Sequence, residues 1–569
     1  MTVNTWYQSV GSRDDWMMSM SITTSVSEFQ TIRKGNMYYV DKSLLIKDIL
    51  SNKLSGSYLF IRPRRFGKSM NLSMLDAFFN IKYKGNNWFD ELEISEYREY
   101  ERYKNSYPVI RLDFGDVYAE SWDDFLSDVG SVISEAYVDN SDLINDHTSP
   151  LFLETYQRIT RGDYDDRILK TSLGRLALEL RTQYRSRAVV LIDEYDAPLT
   201  RSIGKDTNAR VTSFLSNIYS DILKGNKNVH MSYVTGTSRI MHQGFLSGLN
   251  NMIVDDAFST MSGERFGFTE PEVWELLGYY GASDKFEEVR EWYYGYRFGD
   301  ADIYNPVSIM NYIQRGFIPS EYWFDTCDDS VVGWMSERVD VRKVPEMSRL
   351  LIGGTVDLTI SKHIDPSRMI MFDDWHPFFE LVDMGYLKVV SNGDDRYGMS
   401  IPNGEILIGV GYELNTIIGL SDYKTEVLID ALTSMDDSTL MCSLYALLDE
   451  QRLFDPTDER HYAAVFTIAI RSLNRGYRII PEPDRIGHTV DVFLLPRTEG
   501  MESIIIGIRR VDEADQMESA MEHVFDRIQR SKGYQGICGD VVMTGMVFCG
   551  KNSLVRSNRV HIDGRFLTK

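Results

Sequence analysis

The stretch Ile61-Arg62-Pro63-Arg64-Arg65-Phe66-Gly67-Lys68-Ser69 decides how this chain is read. It follows an apolar run, Tyr58-Leu59-Phe60-Ile61, with the length of a short buried strand. After it, Met70 to Phe79 carries apolar residues at helical spacing. Strand, tight loop, Gly-Lys-Ser and helix together form the context of a phosphate-binding loop. The backbone N–H groups of such a loop and the helix N-terminus make a concave positive site. Here Arg64, Arg65, Phe66, Gly67, Lys68, Ser69 and Met70 would line it. Lys68 would reach the β- and γ-phosphates of ATP, and the Ser69 hydroxyl would be a ligand to Mg2+. The pattern departs from G-x-x-x-x-G-K-[ST] at its first position, where Arg62 replaces the conformationally free glycine and Pro63 stiffens the entry. Taken alone, Gly-Lys-Ser is also what a basic loop before an ordinary helix shows.

Ala188-Val189-Val190-Leu191-Ile192-Asp193-Glu194 reads as a central parallel strand with two acids at its C-terminal end, where α/β folds bind ligands. It is expected beside the strand that leads into the loop. Asp193 would hold Mg2+, and Glu194 would orient or deprotonate the attacking water. The same residues also suit a buried strand that ends in a solvated acidic turn closed by Pro198. A third strand, Val229 to Val234, runs into Thr235-Gly236-Thr237-Ser238-Arg239. Its polar end could face a γ-phosphate, with Arg239 offsetting transition-state charge, or it could be a plain hydroxyl-rich loop. Pro108 to Asp113 adds a strand from which no chemistry is expected.

The chain has 569 residues, 43% of them hydrophobic, enough for several cores. A net charge of −23 argues against a nonspecific nucleic-acid surface over the whole chain, and leaves a local basic groove open. Cys327, Cys442, Cys538 and Cys549 lack C-x-x-C spacing, which argues against a zinc site or a disulfide framework and for a reducing compartment. No stretch has the apolar length of a membrane span, and residues 1–26 lack the apolar core of a signal peptide. The expectation is a cytoplasmic protein with no membrane contact and a flexible extension over 1–26.

Residues 27–320 alternate strands and helices. Within them Asp41 reads as a helix N-cap, and Thr269-Glu270-Pro271-Glu272 as a capping box. The aromatic cluster Trp292 to Gly299 reads as packing for a small lid, or as a stacking surface for bases. Residues 321–450 read as mostly helical, with a winged-helix-like module formed by a hairpin from Lys388 to Ile401. Residues 451–552 form a second α/β unit, and 553–569 read as a basic, solvated tail.

The segments Y-V-D-K-S, R-P-R-R-F-G-K-S, L-I-D-E-Y-D, F-G-F-T-E, W-Y-Y-G-Y and Y-N-P, in this order, resemble the prokaryotic AAA-ATPase-like family, whose members carry a C-terminal PD-(D/E)xK nuclease-like domain. The resemblance implies an α/β protein with an N-terminal ASCE-type P-loop ATPase domain and a C-terminal restriction-endonuclease-like domain. It also implies an ATP and Mg2+ site at Lys68, Ser69, Asp193 and Glu194. In the C-terminal unit Asp491 matches the first acid of the nuclease motif, while Gly507 stands where a glutamate belongs and Arg509 where a lysine belongs. Glycine has no ligand atom and arginine stays protonated. The resemblance therefore implies a degenerate nuclease site, with Glu459 and Glu482 as auxiliary acids and Glu522 or Gln529 as candidates for a relocated ligand. The competing readings are an ATP-gated DNA nuclease and a nucleotide-dependent switch or scaffold. No protein partner is indicated.

Overall fold

The computed structural model describes residues 20–51, 56–97, 99, 101–238, 252–326, 343–351, 353–359, 376–391, 396–418, 422–449, 454–470, 473, 477–481, 492–497, 500–530 and 539–562. The chain divides into two compact units, Met1–Trp323 with Ile364–Val389, and Phe324–His363 with Val390–Lys569. The regions 321–450 and 451–552, expected as separate domains, thus share the second unit apart from a segment that joins the first. The helix Val344–Leu351 packs on the helix Glu459–Ile470, giving both one apolar interior.

The first unit is built on a five-stranded, wholly parallel sheet: β1 (Ser57–Ile61), β2 (Val109–Asp113), β3 (Ala188–Asp193), β4 (Val229–Gly236) and β5 (Met252–Asp255), in the order β2-β3-β4-β1-β5. Every residue of β3 is buried, as its unbroken apolar run requires of a strand covered on both faces. Helices Trp122–Asp139, Asp166–Tyr184 and Asn208–Leu223 contribute to a core that includes Ile110, Val190, Leu173 and Phe214. The helix Lys68–Phe79 is buried on nearly all sides, so its apolar residues are not confined to one stripe.

One expectation is corrected here. β3 does not lie beside β1, because β4 is inserted between them, pairing Ile192 with Val234 on one side and Ile61 with Gly236 on the other. The last six residues of β4 are buried, so a place inside the sheet satisfies both edges of its backbone.

A small antiparallel sheet follows, β6 (Phe268–Thr269), β7 (Tyr294–Phe298) and β8 (Ala301–Tyr304), in the order β6-β8-β7. The helix Glu270–Tyr279 starts where the sequence predicts, and Glu272 accepts the Thr269 N–H at 2.7 Å. Asp41 is not the cap of the helix that follows it, Leu44–Ser51. Its carboxylate accepts the N–H of Ser43 at 2.8 Å and of Glu93 at 2.8 Å, turning the chain ahead of the helix. The extension read over 1–26 is also docked in part. Met20 bonds to the Tyr279 and Tyr280 hydroxyls, the Ser21 carbonyl accepts from Tyr38 N–H, and Ile22 packs on the aromatic core. Residues 1–19 lie outside the described residues.

In the second unit β9 (Val356–Thr359) pairs antiparallel with β11 (Arg396–Ser400), while β10 (Lys388–Ser391), the other strand of the expected hairpin, begins at the end of the first unit's segment. β9 falls in a region read as helical, and it adds a third strand beside β11. The C-terminal sheet runs β12 (Tyr477–Pro481), β13 (Val492–Pro496), β14 (Ser503–Arg510), β15 (Gly539–Cys549) and β16 (Asn552–Ile562) in chain order. Only the β14–β15 pair is parallel, and the helix Met517–Arg530 connects it.

β16 corrects the expected tail. Residues 553–562 are paired with β15 along their whole length, and Val555 is buried. Arg556, Arg559 and His561 meet Glu518, Glu502 and Asp540. A count of positive charges overlooks this strand because its basic residues are paired with acids of other segments. Among the described residues no helix is long and apolar enough to cross a membrane.

Candidate functional site

The strands of the first sheet end together, and their C-terminal edge collects the polar residues. Gly67, at φ +84°, is the N-cap of the helix Lys68–Phe79, and no side chain caps that end. The first turn's N–H groups therefore face the loop, as a phosphate site requires. Lys68 is 4% exposed, and its Nζ donates to the Arg62 and Pro63 carbonyls, both at 3.0 Å. Burial holds the Lys68 ammonium below the ordinary lysine range, and the carboxylates of Glu194, Asp193 and Asp196 oppose that shift. Ser69 and Met70 follow in the same turn.

The rest of the loop is gripped from outside. The Arg64 carbonyl accepts from Trp323 Nε1 at 3.0 Å, and the Phe66 carbonyl accepts from Gly267 N–H at 3.1 Å. The buried Phe66 ring sits edge-on to Tyr296 and Phe298, with centroids 4.8 and 5.2 Å away. The aromatic cluster 292–299 therefore packs against the loop. Arg65, at φ +66°, takes the left-handed turn that glycine would otherwise serve and is exposed.

Arg62, in place of the first glycine, is wholly buried and pairs with Asp255.

Asp193 closes β3 in register with Asp113 at the end of β2. The Asp193 carboxylate accepts the Thr235 hydroxyl from β4 and the Glu194 N–H. Glu194 turns at φ +47°, and its carboxylate lies by Gly115, whose N–H is held by Asp113 at 2.9 Å. Burial raises the Asp113 pKa, and the charges of Asp193 and Glu194 add to the rise. Asp196 is 4% exposed and accepts the N–H groups of Thr237 at 2.9 Å and Ser238 at 2.6 Å. Burial raises its pKa, against which those bonds and Lys68 act.

The fold thus brings together Lys68, Asp193, Glu194 and the end of β4. Arg239 lies outside the described residues. Sequence reading missed Asp113 and Asp196. Asp113 could have been found from the matching endings of V-I-R-L-D and V-L-I-D, two parallel strands stopping on the same residue type. No group of three or more His, Cys, Asp or Glu placed to hold a metal occurs among the described residues. A hydroxyl and a carboxylate suffice for a Mg2+ that also takes phosphate oxygens and water.

The second candidate is different. Asp491 and Glu482 lie outside the described residues. Gly507 is buried in β14, in register with Gly545 of β15. A Cβ at Gly507 would come within 2.7 Å of Val524 and 3.0 Å of Ile528; one at Gly545 would come within 2.5 Å of Met521. The paired glycines let the helix Met517–Arg530 sit close on the sheet. Gly507 is thus a packing residue. Arg509 is exposed and faces Glu459 at 3.5 Å, while Glu459 also accepts the Arg510 N–H at 3.0 Å. Glu522 and Gln529 are exposed on the helix.

Residues 23–246 match a family model named AAA-ATPase_like and described as predicted AAA-ATPase. The N-terminal segment is similar to this family. The match ends before β5 and covers none of the second unit. A protein of Azotobacter chroococcum mcd 1, described as an uncharacterized protein in the vnfD 5' region, is 28% identical over 318 residues, or 54% of this chain and 55% of its own length. The chain thus spans about half the length of this AAA-ATPase-like segment's curated relative. A solved structure, described as Drosophila ORC bound to AT-rich DNA and Cdc6, aligns over 68% of this chain and 94% of its own at 10% identity. Its TM-score of 0.19 gives that alignment no weight.

Proposed function

We propose that the first unit binds ATP with Mg2+ and hydrolyses it. The observation that carries this reading is Lys68: a buried ammonium at a helix N-terminus, resting on two loop carbonyls, beside the carboxylates that end β3. A buried cation whose two hydrogen bonds among the described residues go to neutral carbonyl oxygens is poised to exchange them for phosphate. The space around Gly67 is open, with nothing within 4 Å of an added Cβ. Ser69 and Asp193 are the residues that would hold Mg2+, which would supply positive charge against the phosphates.

The chain's own groups would do the rest. Lys68 stabilises charge on the transferring phosphoryl group. The Thr235 hydroxyl and the Glu194 N–H fix one oxygen of Asp193, and the other would be the metal ligand. Glu194 accepts the proton of the attacking water. Asp196 holds the Thr237–Ser238 backbone at the end of β4.

For the second unit we infer a nuclease-like fold without cleavage. The helix Glu459–Ile470, the antiparallel run β12-β13-β14, the helix Met517–Arg530 and parallel β15 support the fold. The buried, helix-covered Gly507 supports the loss of chemistry.

The test is direct. The full chain should bind a fluorescent ATP analogue and release phosphate only with Mg2+, and Lys68→Ala should weaken the binding and suppress the release. Unchanged affinity in Lys68→Ala would remove the P-loop reading. DNA and RNA incubated with Mg2+ or Mn2+, with and without ATP, should stay intact.

A further inference from the structure

Arg62 occupies the position that glycine takes in the common loop pattern, and its surroundings are built for it. The guanidinium is 0% exposed. Nη1 donates to the Ile61 carbonyl at 2.8 Å and to the Asp255 carbonyl at 2.9 Å. Nη2 donates to Asp255 Oδ1 at 3.1 Å and to Ser262 Oγ at 3.4 Å, while Ser262 in turn donates to the other oxygen of Asp255. The Phe266 and Phe298 rings flank the guanidinium, with centroids 4.9 and 4.8 Å from Cζ. Nε alone finds no acceptor among the described residues.

The backbone of the same residue is held as well. Its N–H donates to the Gly236 carbonyl of β4 at 3.1 Å, and its carbonyl is one of the two that carry Lys68 Nζ. Phe298, which flanks Arg62, also packs on Phe66 later in the loop. Residue 62 thus joins three things: the end of β4, the end of β5 and the amine of Lys68.

A glycine at this position would supply conformational freedom. Arginine with proline after it supplies the opposite, a loop entry fixed from outside. A buried ion pair adds little net stability over an apolar replacement, and its value lies in the geometry it enforces.

We propose that Arg62 is a positioning residue for the nucleotide site: through Asp255, Ser262 and the two rings it fixes the carbonyls of residues 62 and 63, and so the place from which Lys68 meets phosphate. The proposal rests on the ATP reading above.

Two substitutions and one control test it in the full chain. Arg62→Lys keeps a cation beside Asp255 but has one ammonium where the guanidinium reaches four acceptors. It should fold, with the KM for ATP raised about tenfold and kcat changed less, since a small displacement of a positioned group costs one to two orders of magnitude. Arg62→Gly restores the common pattern and should bind ATP more weakly than wild type. Because it leaves Asp255 without its cation, its nucleotide-free melting temperature is measured alongside, and Arg62→Lys decides if it does not fold. A folded Arg62→Lys with wild-type KM and only a lower melting temperature overturns the proposal, as does an Arg62→Gly that binds ATP as well as wild type or better. Wild-type protein that fails to bind ATP, or a Lys68→Ala that binds it normally, instead overturns the ATP reading itself and the proposal with it.

Discussion

The edge at Lys68 and the strand at Gly507 are two answers to the same structural question. In both, a strand of an α/β unit reaches a position where a phosphate or metal chemistry would need a charged group. At the first, parallel strands stop together, and Asp113, Asp193 and the hydroxyl of Thr235 gather at their ends beside a buried lysine. At the second, the position lies within a strand and under a helix, where glycine is what lets Val524 and Ile528 approach. A strand end leaves space that the sheet cannot fill, whereas a strand face under a helix is filled by packing.

The comparison breaks most visibly at Lys68. Lys68→Ala should lower ATP turnover by about three orders of magnitude, since it removes a positioned charge from a buried site. A phosphate-release assay that finds only a few-fold loss would mean that Arg64 or Arg65 does the work.

On the other side, Gly507→Glu should destabilise the second unit by about 3 kcal/mol, because it drives a carboxylate into apolar packing. A denaturant melt reads this. A stable Gly507→Glu protein that acquires Mg2+-dependent cleavage together with Arg509→Lys would show that the position faces a nuclease site after all.

Glu194→Gln sharpens the first half. ATP should remain bound while hydrolysis slows by about 100-fold, because the amide cannot take the water's proton. Normal turnover would move the base to another carboxylate, with Asp113 the nearest candidate by register.

The smallest effect is expected at Glu459→Ala. It frees the Arg510 N–H and the Arg509 guanidinium and should cost about 1 kcal/mol in a thermal melt, with no effect on cleavage of nucleic acid.

Much of the first unit is legible without coordinates. A strand buried on both faces must be continuously apolar, so Val189 to Ile192 announce it, and Gly67-Lys68-Ser69 announces a helix start after a tight turn. What could not be read was adjacency. No local pattern says that β4 slips between β3 and β1, and so the sequence does not identify the neighbour of the loop strand.

By itself the sequence determined the loop, the acids of β3 and the alternation of strands and helices, because these are local consequences of periodicity, turn chemistry and charge. Only the tertiary structure decided the surroundings of three residues that look alike or odd in one dimension. Asp113, expected to be inert, meets Asp193 because two strands end in register. Arg62, a break in the common pattern, finds Asp255 from a strand far along the chain. Gly507, an apparent gap in a motif, lies under a helix whose close approach it permits. In each case the deciding contact is long-range: the energy that fixes the residue's role comes from a partner brought near by folding, and not from its neighbours in the chain.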